Sequence, residues 1–185
     1  MLADKEIIVI KFGSGILTEP NGISLDSKQF DGLVHAVAEV HKSGKRPVIV
    51  SSGAAAAGMM AFGIDERPDD LSALQACCAV GQTRLMHFYE TLFRQYNLNV
   101  AQLLLTNEDF STPKRTQNVT NTFDELLKHD NVIPIINENE SRFLKSLPTI
   151  QRPSSLEMHN NPLVQYKTWI LRNSEPKSRI GVRLL

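Results

Sequence analysis

Three short stretches of this chain carry residue types suited to chemistry on a small polar molecule. The first is Ile7 to Gly15, IIVIKFGSG, in which an apolar run ends in a lysine and then in two glycines around a serine. Lys11 falls where a buried strand would stop. Gly13, Ser14 and Gly15 allow a sharp turn that brings backbone N–H groups close to an anion. Holding a phosphate is the simplest chemistry for that combination. The alternative is a strand, an exposed lysine and a flexible turn, because short glycine motifs recur by accident. The second stretch is Ser51-Ser52-Gly53 followed by four alanines and Gly58. It offers hydroxyls beside small residues that permit close approach, either of a ligand or of another backbone. A helix starting there would aim unpaired N–H groups at whatever sits beyond it; the competing reading is an Ala-rich helix packed tightly on its neighbours. The third stretch, Asn137-Glu138-Asn139-Glu140, offers amides and carboxylates.

Each stretch follows a short apolar run. Ile7 to Ile10 suits a strand buried on both faces, Pro47 to Val50 is a second short buried run, Val100 to Leu105 is a third strand candidate, and Val132 to Ile136, interrupted by Pro134, is a fourth. Between them lie helical segments. Asp26 or Ser27 caps a helix to about Ser43, with Phe30, Leu33, Val34, Val37 and Val40 on one face and Gly44 at its end. A longer one runs from about Leu71 to Tyr96, its apolar set including Leu71, Leu74, Cys78, Leu85, Phe88, Leu92 and Phe93. Gly81 and Gln82 interrupt it midway; a glycine there costs about 1 kcal/mol relative to alanine, which calls for close packing or a ligand. A weaker helix spans Gln117 to Lys128. Strands alternating with helices predict an α/β/α sandwich with a mainly parallel sheet. In such sheets ligands bind beyond the carboxyl ends of the strands, where all three polar stretches would meet.

The composition sets outer bounds. The chain has 185 residues, 42% hydrophobic and 22% charged, with no net charge. That length allows one ordinary domain with a real core, and neutrality gives no overall drive toward nucleic acid or acidic membranes. The charge is unevenly spread. From Ser141 onward there are eight Lys/Arg against two acids, a net +6, which leaves −6 on residues 1–140. The adjacent Cys77 and Cys78 point apart on a helix and read as small hydrophobes in a reducing compartment. His35, His41, His87, His129 and His159 have no metal-ligand spacing. No Walker-type loop or dinucleotide fingerprint is present. The start, MLADKE, lacks the pattern of a signal peptide, and no apolar run is long enough to span a bilayer. A cytoplasmic protein with a small-molecule substrate is expected; self-association into a homo-oligomer stays open.

Five stretches taken in order, VIKFGSGILT, VIVSSGAAAAG, AVGQTRLM, VAQLLLT and VIPIINENE, resemble the glutamate 5-kinases, a branch of the amino-acid kinase family, over residues 7–140. The resemblance implies a three-layer α/β/α fold and transfer of the γ-phosphoryl of ATP, with Mg2+, to the side-chain carboxylate of L-glutamate in proline biosynthesis. It implies that Lys11 is the catalytic cation on the phosphate side, with Gly13 and Ser14 in its ATP-phosphate loop. Ser52 matches a glutamate-binding serine, and Gly53 keeps that loop open. Asn137 and Glu140 fall on the family's substrate motif, and no residue is assigned to a metal. Three departures stand out. Gly15 occupies a usual serine position. Glu140 replaces an aspartate, placing the carboxylate one methylene further out. After Glu140 nothing resembles the family's remaining substrate loop or its nucleotide-binding half.

The expected organisation is therefore an acceptor-side kinase portion, residues 1–140, and a basic tail, 141–185, poor in order. The tail holds Pro148, Pro153, Pro162 and Pro176, and its one candidate element is Leu163 to Leu171, a strand or a short helix. An out-of-frame or rearranged gene end would explain the abrupt change at Ser141. A basic arm for an acidic partner, anchored by Tyr166 and Trp169, is the functional alternative for the tail. For the whole chain the competing readings are a non-catalytic half-domain that binds glutamate or a subunit partner, and a sister amino-acid kinase with another acceptor.

Overall fold

The computed structural model describes residues 6–137, 166–171 and 182–184, the last two segments by their backbone. Six strands form one sheet: β1 (Ile7–Phe12), β2 (Arg46–Ser51), β3 (Asn99–Leu103), β4 (Val132–Asn137), β5 (Tyr166–Leu171) and β6 (Val182–Leu184). Their order is β3-β4-β2-β1-β5-β6, with every pairing parallel except the antiparallel β5–β6 pair. The helices are α1 (Ser14–Leu17), α2 (Ser27–Lys42), α3 (Ala54–Phe62), α4 (Leu71–Arg94) and α5 (Pro113–Lys128).

Side chains alternate across a strand, and here the two faces feed two cores. Ile8, Ile10, Phe12, Ile49, Ile133 and Ile135 pack with Phe30, Leu33 and Val37 of α2 and with Leu85, Tyr89 and Phe93 of α4. Ile7, Val9, Val48, Val50 and Ile136 face the other way, onto Val119, Phe123 and Leu127 of α5. Helices on both faces of a mainly parallel sheet make the expected α/β/α sandwich. Strands buried on both faces must be apolar throughout, which is why β1 and β2 read as unbroken Ile/Val runs.

Local chemistry sets the helix ends. Asp26 caps α2, its side chain accepting from the Lys28 and Gln29 amides, and Gly44 follows with φ +84°. Asp70 caps α4 by accepting from Ala73 N–H at 2.7 Å. α5 starts earlier than Gln117: Thr112 is its N-cap and Pro113 its first residue, a pairing that costs nothing because the first helical N–H has no partner to lose.

The long helix differs most from expectation. It is continuous through Gly81 and Gln82. Its buried row is Cys77, Gly81, Leu85, Tyr89 and Phe93, whereas Cys78 is half-buried and Leu71 is 65% exposed. Close packing explains Gly81. A Cβ there would lie 1.8 Å from the Ala54 carbonyl oxygen, and one on Gly58 would lie 1.8 Å from the Cys77 carbonyl oxygen. The Ala-rich α3 therefore lies backbone to backbone against α4, with Ala56, Met59 and Cys77 as a small core of their own.

In the tail, the candidate element resolves as a strand. β5 runs parallel to β1 over all six residues, from Ile7 opposite Tyr166 to Phe12 opposite Leu171. Two segments of the basic region thus belong to the sheet. Glu138, Asn139, Glu140 and the four tail prolines lie outside the described residues.

Candidate active site

Strand register places the three polar stretches along one rim. Phe12 pairs with Ser51, and Ser51 with Asn137, so the ends of β1, β2 and β4 form one row. With strands about 4.8 Å apart, Phe12 to Asn137 spans roughly 10 Å. Lys11 stands one residue behind this row, half-buried, on the α5 face with Ile7 and Val9. Ser51 and Asn137 point to the α4 face. The lysine and the asparagine therefore address the rim from opposite sides of the sheet.

The loop after β1 departs from the expected sharp glycine turn. Gly13 has an ordinary φ of −71° and precedes the single turn of α1. Ser14 and Gly15 are exposed, and a Cβ on Gly13 or Gly15 would meet nothing within 4 Å. Their value here is open space, not left-handed backbone. Gly53 is the glycine that needs its conformational freedom: its φ is +99°, and it turns the chain from β2 into α3. An L side chain is strained at that angle.

Ser52, between them, donates its backbone N–H to the Phe12 carbonyl at 3.0 Å. Its hydroxyl is buried and has no hydrogen-bond partner among the described residues. A buried, unpartnered hydroxyl costs free energy, so a ligand that satisfies it gains by doing so. Asn137 donates its side-chain amide to Gln82 Oε1 at 3.2 Å. Gln82 sits in the AVGQTRLM stretch but was not foreseen as a site neighbour; the 55-residue separation hides the contact. Ser51 Oγ donates to the Ser52 carbonyl at 3.0 Å and lies 2.8 Å from the Tyr89 hydroxyl. Burial pushes the Tyr89 phenol far above its usual range, against the weaker opposing effect of the Ser51 hydrogen bond, so it remains a neutral donor at physiological pH. Burial also raises the Cys78 thiol, which keeps it protonated and in keeping with a packing role.

The described surface pocket lies further along the same rim, where Phe110, Pro113 and Thr120 line the start of α5. It includes none of Lys11, Ser52 or Asn137. Glu140 lies outside the described residues. Among the described residues no group of three or more His, Cys, Asp or Glu is placed to hold a metal ion, and no helix is long and apolar enough to cross a membrane.

The amino acid kinase family profile matches residues 6–146. This chain belongs to the amino acid kinase family. Among its relatives, the glutamate 5-kinase of Citrifermentans bemidjiense is 49% identical over 134 residues, covering 72% of this chain and 35% of that protein. That of Bifidobacterium adolescentis is 48% identical over 140 residues, covering 76% and 37%. That of Clostridium acetobutylicum is 42% identical over 146 residues, covering 79% and 54%. This chain thus spans between 35% and 54% of the length of these curated relatives. A solved structure of Giardia carbamate kinase overlays with a TM-score of 0.43 and 15% identity, covering 72% of this chain and 57% of that one.

Proposed function

We propose that this chain carries the acceptor side of a glutamate 5-kinase site, in which L-glutamate receives the γ-phosphoryl group of ATP on its side-chain carboxylate. A carboxylate oxygen attacks the γ-phosphorus, the bond to the ADP leaving oxygen breaks, and glutamyl 5-phosphate results. Such transfer needs positioning and positive charge more than covalent help. In this reading Lys11 supplies the charge, beside the open Gly13–Ser14 loop. Ser52 and Asn137 hold the amino acid, Gly53 shapes the loop, and Glu140 adds a carboxylate near the substrate's amino group. The observation that carries the reading is the common rim: β1, β2 and β4 end in one row, and there Ser52 keeps a buried hydroxyl without a partner among the described residues. The names of the relatives support glutamate as the acceptor.

Among the described residues no group of three or more His, Cys, Asp or Glu is placed to hold a metal ion. Magnesium would ride on the nucleotide phosphates, as it commonly does in kinases, and no step here is assigned to it. ATP binding, proline biosynthesis and a cytoplasmic location belong to the same proposal. Residues 1–140 would form the acceptor part and 141–185 a distinct basic segment that lends β5 to the sheet.

A second reading is favoured by one fact, the 35% to 54% share of the relatives' length. On that reading the chain binds glutamate without transferring phosphate. Calorimetry on the full 185-residue chain, with L-glutamate in the presence and absence of Mg-ATP, separates the two. A kinase responds to both ligands; a binding half-domain ignores ATP. A hydroxamate assay completes the test. We expect little or no turnover by this chain alone, since it spans only 35% to 54% of the length of the relatives it matches. Turnover at the tens per second common to kinases would refute that expectation.

A further inference from the structure

Tyr89 is wholly buried, at 0% exposure, in an aromatic cluster with Phe30 at 5.1 Å and Phe93 at 6.2 Å between ring centroids. A phenylalanine would fill nearly the same volume without bringing a hydroxyl into the core, where it costs free energy unless bonded. The hydroxyl therefore needs an account beyond packing. It lies 2.8 Å from Ser51 Oγ, which is 3.0 Å from the Ser52 carbonyl oxygen. Counting hydrogens fixes the direction. Ser51 has one hydroxyl proton, and a carbonyl can only accept, so that proton goes to Ser52. The Tyr89 O–H must then donate to Ser51.

The result is a short relay from the C-terminal part of α4 to the loop after β2. The backbone of Ser52 is held on both sides, its N–H on the Phe12 carbonyl at 3.0 Å and its C=O on the Ser51 hydroxyl. One residue further, Gly53 turns at φ +99°. Beyond it, the Ala54 carbonyl is pressed against Gly81 of α4. The same helix reaches Asn137 through Gln82. α4 thus grips the Ser52 loop on either side, and the Ser52 hydroxyl has no hydrogen-bond partner among the described residues.

We infer that Tyr89 is a positioning residue: its hydroxyl holds Ser51 on the Ser52 carbonyl and so fixes where the Ser52 hydroxyl stands for an amino-acid ligand. Its ligand part rests on the acceptor-site proposal; the relay itself does not. Without the Tyr89 donor, the Ser51 hydroxyl can turn to another acceptor, and the Ser52 backbone loses one of its two restraints.

The test is amide hydrogen exchange on the full chain, comparing Ser52 with Val48 of the same strand in the unsubstituted protein, Y89F and S51A. Loss of general stability moves both amides together. Loss of the relay moves Ser52 selectively. We expect Ser52 exchange to rise about fivefold to tenfold relative to Val48 in either variant, matching the net worth of about one hydrogen bond. S51A reaches the relay from its other side, so the test stands even where Y89F packs badly. An unchanged Ser52-to-Val48 ratio in these variants overturns the inference. Calorimetry with L-glutamate on the same samples gives the second arm. An affinity about tenfold weaker in Y89F supports positioning of the ligand hydroxyl. Absence of glutamate binding by the unsubstituted chain sinks the acceptor-site proposal and leaves the exchange ratio to decide the relay.

Discussion

Replacing Gly81 by alanine should destabilise this protein, although the same change in an ordinary helix stabilises. In an exposed helix interior, alanine is better than glycine by about 0.8–1.0 kcal/mol. Here the new Cβ would sit 1.8 Å from the Ala54 carbonyl oxygen and 2.4 Å from the Gly58 nitrogen. The first distance is about half of an ordinary contact of roughly 3.5 Å. Both obstacles are backbone, so no side chain can swing aside, and α3 must move off α4. Overpacking of a tight core costs about 1–3 kcal/mol, and this case belongs at the upper end. Subtracting the propensity gain leaves a net loss of about 2 kcal/mol, or a fall in Tm of about 4–8 °C for a domain of this size. Thermal unfolding of G81A beside G15A measures it. Gly15 has nothing within 4 Å of its would-be Cβ and no positive φ, so G15A should hold or raise Tm. A G81A protein as stable as its parent would refute the account of α3 and α4 packed backbone to backbone.

Other substitutions probe other contacts. Ser51→Ala leaves the buried Tyr89 hydroxyl without its partner and should cost about 1–3 kcal/mol, against about 0.5–1.5 kcal/mol for Tyr89→Phe. The double variant should lose less than the sum of the two; urea unfolding of all four proteins gives the coupling, and strict additivity would count against the bond. Asp26→Ala removes the acceptor for two amides at the start of α2 and should cost about 1 kcal/mol in the same assay.

Much of the sheet is legible in the sequence because burial on both faces leaves a simple mark. The Ile/Val runs of β1, β2 and β4 have few alternatives, and parallel topology follows from the helices between them. That topology is also why the meeting of Lys11, Ser52 and Asn137 at one rim can be anticipated. Their placement on opposite faces could have been read too, since the alternation of Phe12 against Lys11 contains it.

The long helix shows where legibility fails. Leu71, Ser72, Ala73 and Leu74 are uncharged, as are Ala76 through Gln82, so hydropathy does not single out a face. The buried row of Cys77, Gly81, Leu85, Tyr89 and Phe93 includes a glycine and a tyrosine, which a search for aliphatic periodicity passes over. Gly81 is explained by α3, and Tyr89 by Ser51. The first answers the close packing that a mid-helix glycine calls for; the second is a tertiary fact with no local sign. The same holds for Gln82 beside Asn137 and for the pairing of the strand from Tyr166 to Leu171 with β1, at the other end of the chain.

The most direct test of the acceptor site is Ser52→Ala, followed by both glutamate binding and stability. The Ser52 hydroxyl is buried and bonded to nothing among the described residues, so its loss should leave Tm within about 2 °C of the parent or raise it. Affinity for L-glutamate, measured by calorimetry on the full chain, should fall about tenfold or more, because the ligand loses the hydroxyl proposed to meet it. Unchanged glutamate affinity in S52A, or no binding by either protein, would contradict the claim that this rim is built to receive an amino acid.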